Sequence, residues 1–291
     1  MKKSVLSKDL TLLKTTFIQE QYDRFAALSK DDNPIHVDPE FSARTRFGKT
    51  VAHGMMLYSF ISGILSSKLP GPGMLQIKQE MMFQAPTYTD TEVRFKFEVI
   101  EANEERAKIA TNVVLPNGQL GCQGSAEVLL PGWEKGFPGP DESFMSDKES
   151  EVLEYKKIKI GQEDVIKRTF TDEDLIEYSK LSGDNNPYFT DIEAAQKAGF
   201  KGKIIPGALL NGMFSYTYGT RLPGRGANWM KQSTHFPAPA YVGEELTATV
   251  TVSRLRSDKD LINLISTIKN PAGELVCQAK SLLLIKDLIV E

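Results

Sequence analysis

The run Asp31-Asp32-Asn33-Pro34-Ile35-His36-Val37-Asp38, with Phe47-Gly48 and then Ala52-His53-Gly54-Met55 behind it, puts a carboxylate and an imidazole five residues apart across an Asn-Pro turn. Asn33-Pro34 ends any helix begun near Gln19, because the residue before proline is pushed out of the helical region and proline has no N–H to donate. Asp31 and His36 are therefore expected on a tight, non-helical excursion. Loops that hold polar groups on a rigid scaffold are where reacting side chains concentrate, and an Asp and a His there can take a proton from water and return one to carbon. The plainer alternative is that Asp31 caps a turn and His36 lies on the surface, since Asp and Asn before proline are ordinary turn formers.

Ala52 to Leu65 reads as a largely apolar helix, and Gly54 in its first turn permits close approach of a ligand to the backbone. A helix N-terminus offers unpaired N–H groups and partial positive charge, which suit an oxyanion. With these pieces together, residues 10 to 131 resemble the MaoC-type, (R)-specific enoyl-thioester hydratases of the hotdog superfamily, whose D-x-N-P-[IL]-H signature is matched by Asp31, Asn33, Pro34, Ile35 and His36. The resemblance implies that Asp31 and His36 are catalytic, that the Gly54 backbone N–H is the oxyanion donor, and that Asn33 orients the pair. His53, which opens the helix, is read as a supporting residue, because Asp31 and His36 already supply both proton functions. The implied reaction is syn hydration of a trans-2-enoyl thioester to the (R)-3-hydroxyacyl thioester, or its reversal, with CoA or acyl carrier protein as the substrate's carrier. No further cofactor and no metal are expected, since His36 and His53 lack an acidic or cysteine cluster suited to a metal and this chemistry needs none. Two other functions fit the same scaffold. A hotdog thioesterase would release free thiol from an acyl-CoA, and a non-catalytic acyl-thioester binding protein would bind without turnover.

An internal repeat organises the whole chain. Thr16-Phe17 recurs as Thr169-Phe170, Leu28-Ser29 as Leu181-Ser182, and Asn33-Pro34 as Asn186-Pro187, all at an offset of 153 residues. Phe83 to Tyr88 and Phe236 to Tyr241 keep that register, whereas Cys122 pairs with Cys277, so two residues are gained around Ser257 to Asp260. Each half shows a short strand, a helix (Gln19 to Lys30 in the first), the excursion, the apolar helix, and then alternating strand-like runs: Gln76 to Gln84, Glu92 to Glu101, Lys108 to Leu115 and Leu120 to Leu130. That order predicts an α+β fold of two tandem domains, each a long helix packed on an antiparallel sheet, the halves forming a pseudo-dimer; the resemblance supplies the name hotdog. The expected division is a catalytic domain over 1–133, a Gly-, Pro- and acid-rich surface linker over 134–154, and a degenerate domain over 155–291.

The second copy loses the chemistry. Asp184 stands where Asp31 does, but Phe189 replaces His36 and Pro206 replaces His53. Phenylalanine exchanges no proton, so Asp184 is read as a turn residue and one competent site is expected, with the silent half shaping the acyl pocket. Ser62 and Ser215 occupy matching positions and are read as helix-packing residues, and His235 as a core or rim histidine. The stretch Pro206 to Gly219 carries three glycines, which predict a loosened helix and room for longer acyl chains.

Composition bounds the rest. A chain of 291 residues holds two ordinary domains. A net charge of -3 argues against a nucleic-acid partner. Arg44, Arg46 and Lys49 lie near the motif and are candidates for a CoA phosphate, although solvated surface charge is the simpler reading. Cys122 and Cys277 sit in apolar runs and read as buried, reduced thiols. The start has no apolar signal core, and no segment reaches the ~20 apolar residues of a spanning helix. A soluble cytoplasmic protein is expected, with a small-molecule or carrier-protein partner and possible further self-association.

Overall fold

The computed structural model describes residues 10–133, 136–150 and 152–289. The start read for targeting signals, Met1 to Asp9, and residues 134 and 135, where the expected linker begins, lie outside the described residues. The first half runs β1 (Leu10–Thr16), α1 (Gln19–Ser29), α2 (Pro34–Val37), α3 (Pro39–Ala43), α4 (Gly54–Ser67), β2 (Leu75–Phe83), β3 (Glu92–Ala102), β4 (Arg106–Val114) and β5 (Leu120–Leu129). A two-stranded ribbon, β6 (Glu154–Tyr155) and β7 (Ile158–Lys159), opens the second. It continues through β8 (Glu163–Thr169), α5 (Asp172–Ser182), α6 (Pro187–Thr190), α7 (Ile192–Lys197), α8 (Gly207–Thr220), β9 (Asn228–His235), β10 (Glu245–Arg256), β11 (Leu261–Lys269) and β12 (Leu275–Leu284).

Ten strands form one antiparallel sheet in the order β1-β3-β4-β5-β2-β9-β12-β11-β10-β8. The halves join through β2 and β9, whose pairing satisfies backbone groups that each half alone would leave bare. In that register Glu80 faces Ser233, its own counterpart in the repeat, and the two side chains hydrogen-bond. A residue paired with its own copy marks a two-fold axis. Arg24 Nε donates to Glu177 at 2.7 Å, a second such pair, where α1 meets α5.

Every residue of α4 from Met55 to Ser66 is buried, as befits a helix apolar all round, and α4 packs against α8. The expected loosening of α8 does not occur: it has 14 residues, as α4 does. Tertiary packing outweighs the propensity cost, and two of the three glycines, Gly207 and Gly219, sit where a side chain has no room. A Cβ on Gly207 would lie 2.5 Å from the Phe236 ring, and one on Gly219 would lie 2.5 Å from Asp31 Oδ1. The extra space that a frayed helix would have left beside the site is absent.

Residues 136–150 lie against the second half. Gly139 N–H donates to the Pro237 carbonyl at 3.2 Å, Asp141 N–H donates to Gln278 Oε1 at 2.8 Å, and Phe144 is buried with its ring 5.8 Å from that of His235. The two gained residues fall in the β10–β11 hairpin, where Ser257–Lys259 make a 3-10 turn. Cys122 and Cys277 are buried free thiols.

Candidate active site

The site grows out of the end of α1. Lys30 takes a left-handed conformation with φ of 69°, which turns the chain sharply into Asp31. The Asp31 carboxylate then accepts the Asn33 N–H on Oδ1 at 3.3 Å and the Ser215 hydroxyl on Oδ2 at 2.6 Å. Ser215 lies on α8, so the second half supplies the shorter of these bonds. This corrects the reading of Ser62 and Ser215 as packing residues, because the partner of each lies across the two-fold axis.

The excursion is not wholly non-helical. Pro34–Val37 form one helical turn capped by the Asn33 side chain, which accepts the Ile35 N–H at 3.4 Å. Proline at the first helical position removes an N–H that had no partner anyway, so it starts this turn while ending the previous helix. His36 therefore rides on α2, with its Nδ1 2.7 Å from the Val51 carbonyl. His53 Nε2 lies 2.9 Å from the Asp31 main-chain carbonyl. A carbonyl only accepts, so these contacts assign the tautomers: His36 carries its hydrogen on Nδ1 and presents a lone pair at Nε2, and His53 the reverse. The two rings stack with centroids 3.8 Å apart.

All three side chains are buried. Burial is the chief influence on Asp31 and pushes its carboxyl up to about 7, opposed by the Ser215 and Asn33 hydrogen bonds. Burial likewise lowers His36 to about 4 and takes His53 well below its ordinary value, with His36 adding to the latter. At neutral pH both imidazoles are neutral and Asp31 is poised between its two forms. One ligand atom from each of Asp31, His36 and His53 lies within 4.8 Å of the others. The fold thus gathers Asp31, His36 and His53 into one cluster that could hold a metal ion, a correction to the reading that the two histidines have no acidic cluster suited to one.

A cavity of about 430 Å³ opens beside Asp31 and His36, and both halves line it: Gly54 and Phe83 from the first, Ser215, Tyr218 and Trp229 from the second. Gly54 begins α4, where the first amides have no intrahelical partner, and no side chain caps that end. A Cβ at Gly54 would lie 2.5 Å from the Phe83 ring, just as one at Gly207 would meet Phe236, so glycine here is a requirement of the fold in both halves. Arg46 also lines the cavity and lies 3.6 Å from Asp287, whereas Arg44 bonds the Glu40 carbonyl and Lys49 lies over the Tyr88 ring.

The corresponding place in the second half is nearly filled. Its cavity is about 30 Å³, with Phe189 and, from the connecting segment, Phe137 in its lining. Asp184 is fully buried and takes three hydroxyl donors: Ser62 on Oδ2 at 2.7 Å, Ser66 on Oδ1 at 2.5 Å and Tyr178 on Oδ2 at 3.2 Å. His235 is buried with Nε2 on the Gly139 carbonyl, away from either carboxylate.

Comparison with known proteins agrees with this duplicated architecture. A family described as MaoC like domain matches residues 2–117 and again 156–270. An (R)-specific enoyl-CoA hydratase of Aeromonas caviae is 40% identical over 109 residues, which is 37% of this chain and 81% of that protein. Among solved structures, a MaoC-like dehydratase superposes with a TM-score of 0.76 at 16% identity, covering 97% of this chain and 98% of its own. A conserved hypothetical protein of Mycobacterium tuberculosis with a double hotdog fold gives a TM-score of 0.72 at 13% identity, covering 96% of each chain. At those identities the likeness shows the fold, which is an α+β double hotdog.

Proposed function

The chain belongs to the family of MaoC-like domain proteins, and from that premise we propose that it is a hydro-lyase: it adds water to a trans-2-enoyl thioester to give the (R)-3-hydroxyacyl thioester, and runs the reverse reaction from the other side. The observation that carries this reading is the buried Asp31/His36 pair, one member poised near neutrality and the other presenting a lone pair, at the wall of a cavity. A water between them donates one hydrogen to His36 Nε2 and the other to the Asp31 carboxylate. Its oxygen attacks Cβ as Asp31 takes the proton, and protonated Asp31 then delivers that proton to Cα on the same face. The hydrogen held at Nε2 stays on the new hydroxyl. One water supplies both added groups, and Asp31 returns to its ionised form. A shuttle with a pKa near the working pH is effective in both directions. Negative charge on the thioester oxygen is met by the Gly54 N–H, a contact whose loss typically costs ~3 kcal/mol.

His53 holds the Asp31 backbone through Nε2, and Asn33 starts the turn that carries His36. We read the trio as proton-handling, with each imidazole spending one nitrogen on a main-chain carbonyl. The reaction needs no cofactor beyond the CoA or carrier protein that bears the acyl group. Arg46, at the cavity wall, is the cation best placed to meet a carrier phosphate. The break in the family match between 117 and 156 supports the division into 1–133, 134–154 and 155–291. Among the described residues no helix is long and apolar enough to cross a membrane, and with two buried free thiols this supports assignment to the cytoplasm.

The test is direct. Supplied with a short trans-2-enoyl-CoA, the protein should abolish the conjugated enoyl absorbance without releasing free thiol, and the product should be the (R)-alcohol. Thiol release would install the thioesterase reading, and binding without turnover the non-catalytic one.

A further inference from the structure

The repeat gives this protein its own control: two buried aspartates in the same turn, Asp31 lining an open cavity and Asp184 outside the lining of the small one in its half. Their surroundings differ at two positions that neither aspartate's own loop contains. Ser66 on α4 caps Asp184 Oδ1 at 2.5 Å, and the matching position on α8 is Gly219. Tyr178 donates to Asp184 Oδ2 at 3.2 Å, and the matching residue beside Asp31 is Phe25. Common to both are the backbone N–H of Asn33 or Asn186 and, among the described hydroxyls, Ser215 or Ser62. Asp184 therefore carries three hydroxyl donors and Asp31 carries one.

Gly219 does more than omit a hydroxyl. A Cβ there would lie 2.5 Å from Asp31 Oδ1 and 3.2 Å from its carboxyl carbon, nearer than real Cβ atoms come. The carboxylate thus sits against the bare backbone of α8, and Gly219 lines the cavity with it. Gly219 lies in the last turn of α8, and the close approach of the Asp31 carboxylate is what requires a residue without a side chain there.

We propose that Gly219 is a positioning residue for the reaction, contributed by the non-catalytic half: by withholding the side chain that caps the silent aspartate, it seats the Asp31 carboxylate and leaves Oδ1 for water, with Phe25 withholding the third donor. The proposal rests on the hydratase reading for its meaning, but its physical content does not. Each hydroxyl donated to a carboxylate favours the ionised form. Burial raises the carboxyls of both aspartates, and the hydrogen bonds each accepts oppose that rise.

The experiment compares Gly219→Ser, Gly219→Ala and Phe25→Tyr with the wild type, by enoyl-CoA hydration across pH and by carboxyl-carbon NMR titration of Asp31, the signal being assigned with Asp31→Asn. Gly219→Ser should lower kcat at least ~10-fold and move both the kinetic limb and the Asp31 titration about one unit toward acid, the size of effect one added donor produces. Gly219→Ala, which adds bulk without a donor, should lower kcat without the acid shift. Phe25→Tyr leaves α8 untouched and should shift the titration in the same direction, which keeps the test intact if the Gly219 variants fold poorly. Ser66→Gly, the reverse exchange in the silent half, should leave hydration unchanged. Hydration in the wild type together with an unmoved Asp31 titration in both Gly219→Ser and Phe25→Tyr would overturn the proposal. A shifted titration in a wild-type background that hydrates nothing would leave the positioning role standing and remove the hydratase reading.

Discussion

Asp31 and Asp184 occupy the same turn after the same helix, each bonded by a serine from the other half's central helix, yet Asp31 lines a cavity of about 430 Å³, whereas the matching cavity of the second half is about 30 Å³ and its lining includes Ser62 but not Asp184. The turn and its aspartate are kept in the second half and both histidines are replaced. His36 gives way to Phe189, which occupies the space the imidazole would face, and His53 gives way to Pro206, which still begins the helix. Two hydroxyls then close around Asp184. What the difference teaches is that a buried aspartate in this fold is a structural element first. It becomes reactive only when its hydrogen-bond partners are thinned and a neutral base is set beside it.

The sharpest way to break this contrast is to remove the chemistry from each half in turn. Asp31→Asn and His36→Ala should each lower turnover at least ~100-fold, the lower range for a general acid/base group, with circular dichroism unchanged. Asp184→Asn should leave turnover within a factor of ~2, a change small against that range. A large loss from Asp184→Asn at unaltered stability would show that the second half takes part in the chemistry.

Stability should move the other way at the live site. Burial holds the Asp31 carboxyl at about 7 in the folded state against 3.8 ordinarily. A raised folded-state pKa means that stability is fully present below the unfolded value and is lost as pH rises through the folded one. Asp31→Asn escapes that loss, so its stability advantage should grow between pH 4 and 7 and then level off, reaching up to ~4 kcal/mol at 1.36 kcal/mol per unit. Denaturant titrations at pH 4 and pH 8 check it; an advantage that is the same at both would refute the ionised, buried carboxylate.

In the second half the matching cavity is nearly filled, with Phe189 in its lining, and Phe189→Ala probes whether that filling keeps it inactive. Emptying that ring should destabilise the fold by about 3 kcal/mol while turnover at the first half stays unchanged, read by thermal melts and by hydration rate on the same sample. A gain of hydration in Phe189→Ala carrying Asp31→Asn would mean that only the phenylalanine stood between the silent half and activity.

The smallest expected effect concerns the shared serines. Ser215→Ala removes the donor on Asp31 Oδ2 and should slow hydration about tenfold, the worth of a hydrogen bond to a charged group, while moving the acid limb of kcat/KM upward. Ser62→Ala should cost stability and leave the limb in place. Equal kinetic effects from both would end the distinction between the two aspartates.

The sequence by itself determined the duplication, the element order, and the identity of the motif residues, because these are local or periodic: a constant offset, alternation along strands, an Asn-Pro step between two helices. It also showed which half lacks both histidines, since Phe189 and Pro206 can be read off the register. What only the tertiary structure decided is everything that crosses the two-fold axis. Ser215 and Gly219 lie more than 180 residues from Asp31, and their signal was present as a matched pair, Ser62/Ser215, and a mismatched one, Ser66/Gly219. Neither pair says across which interface it acts until β2 and β9 are joined and α4 lies on α8. The glycines of α8 misled for the same reason: propensity describes a helix alone in water, whereas close approach to Asp31 is fixed by packing between segments that chain connectivity does not bring together.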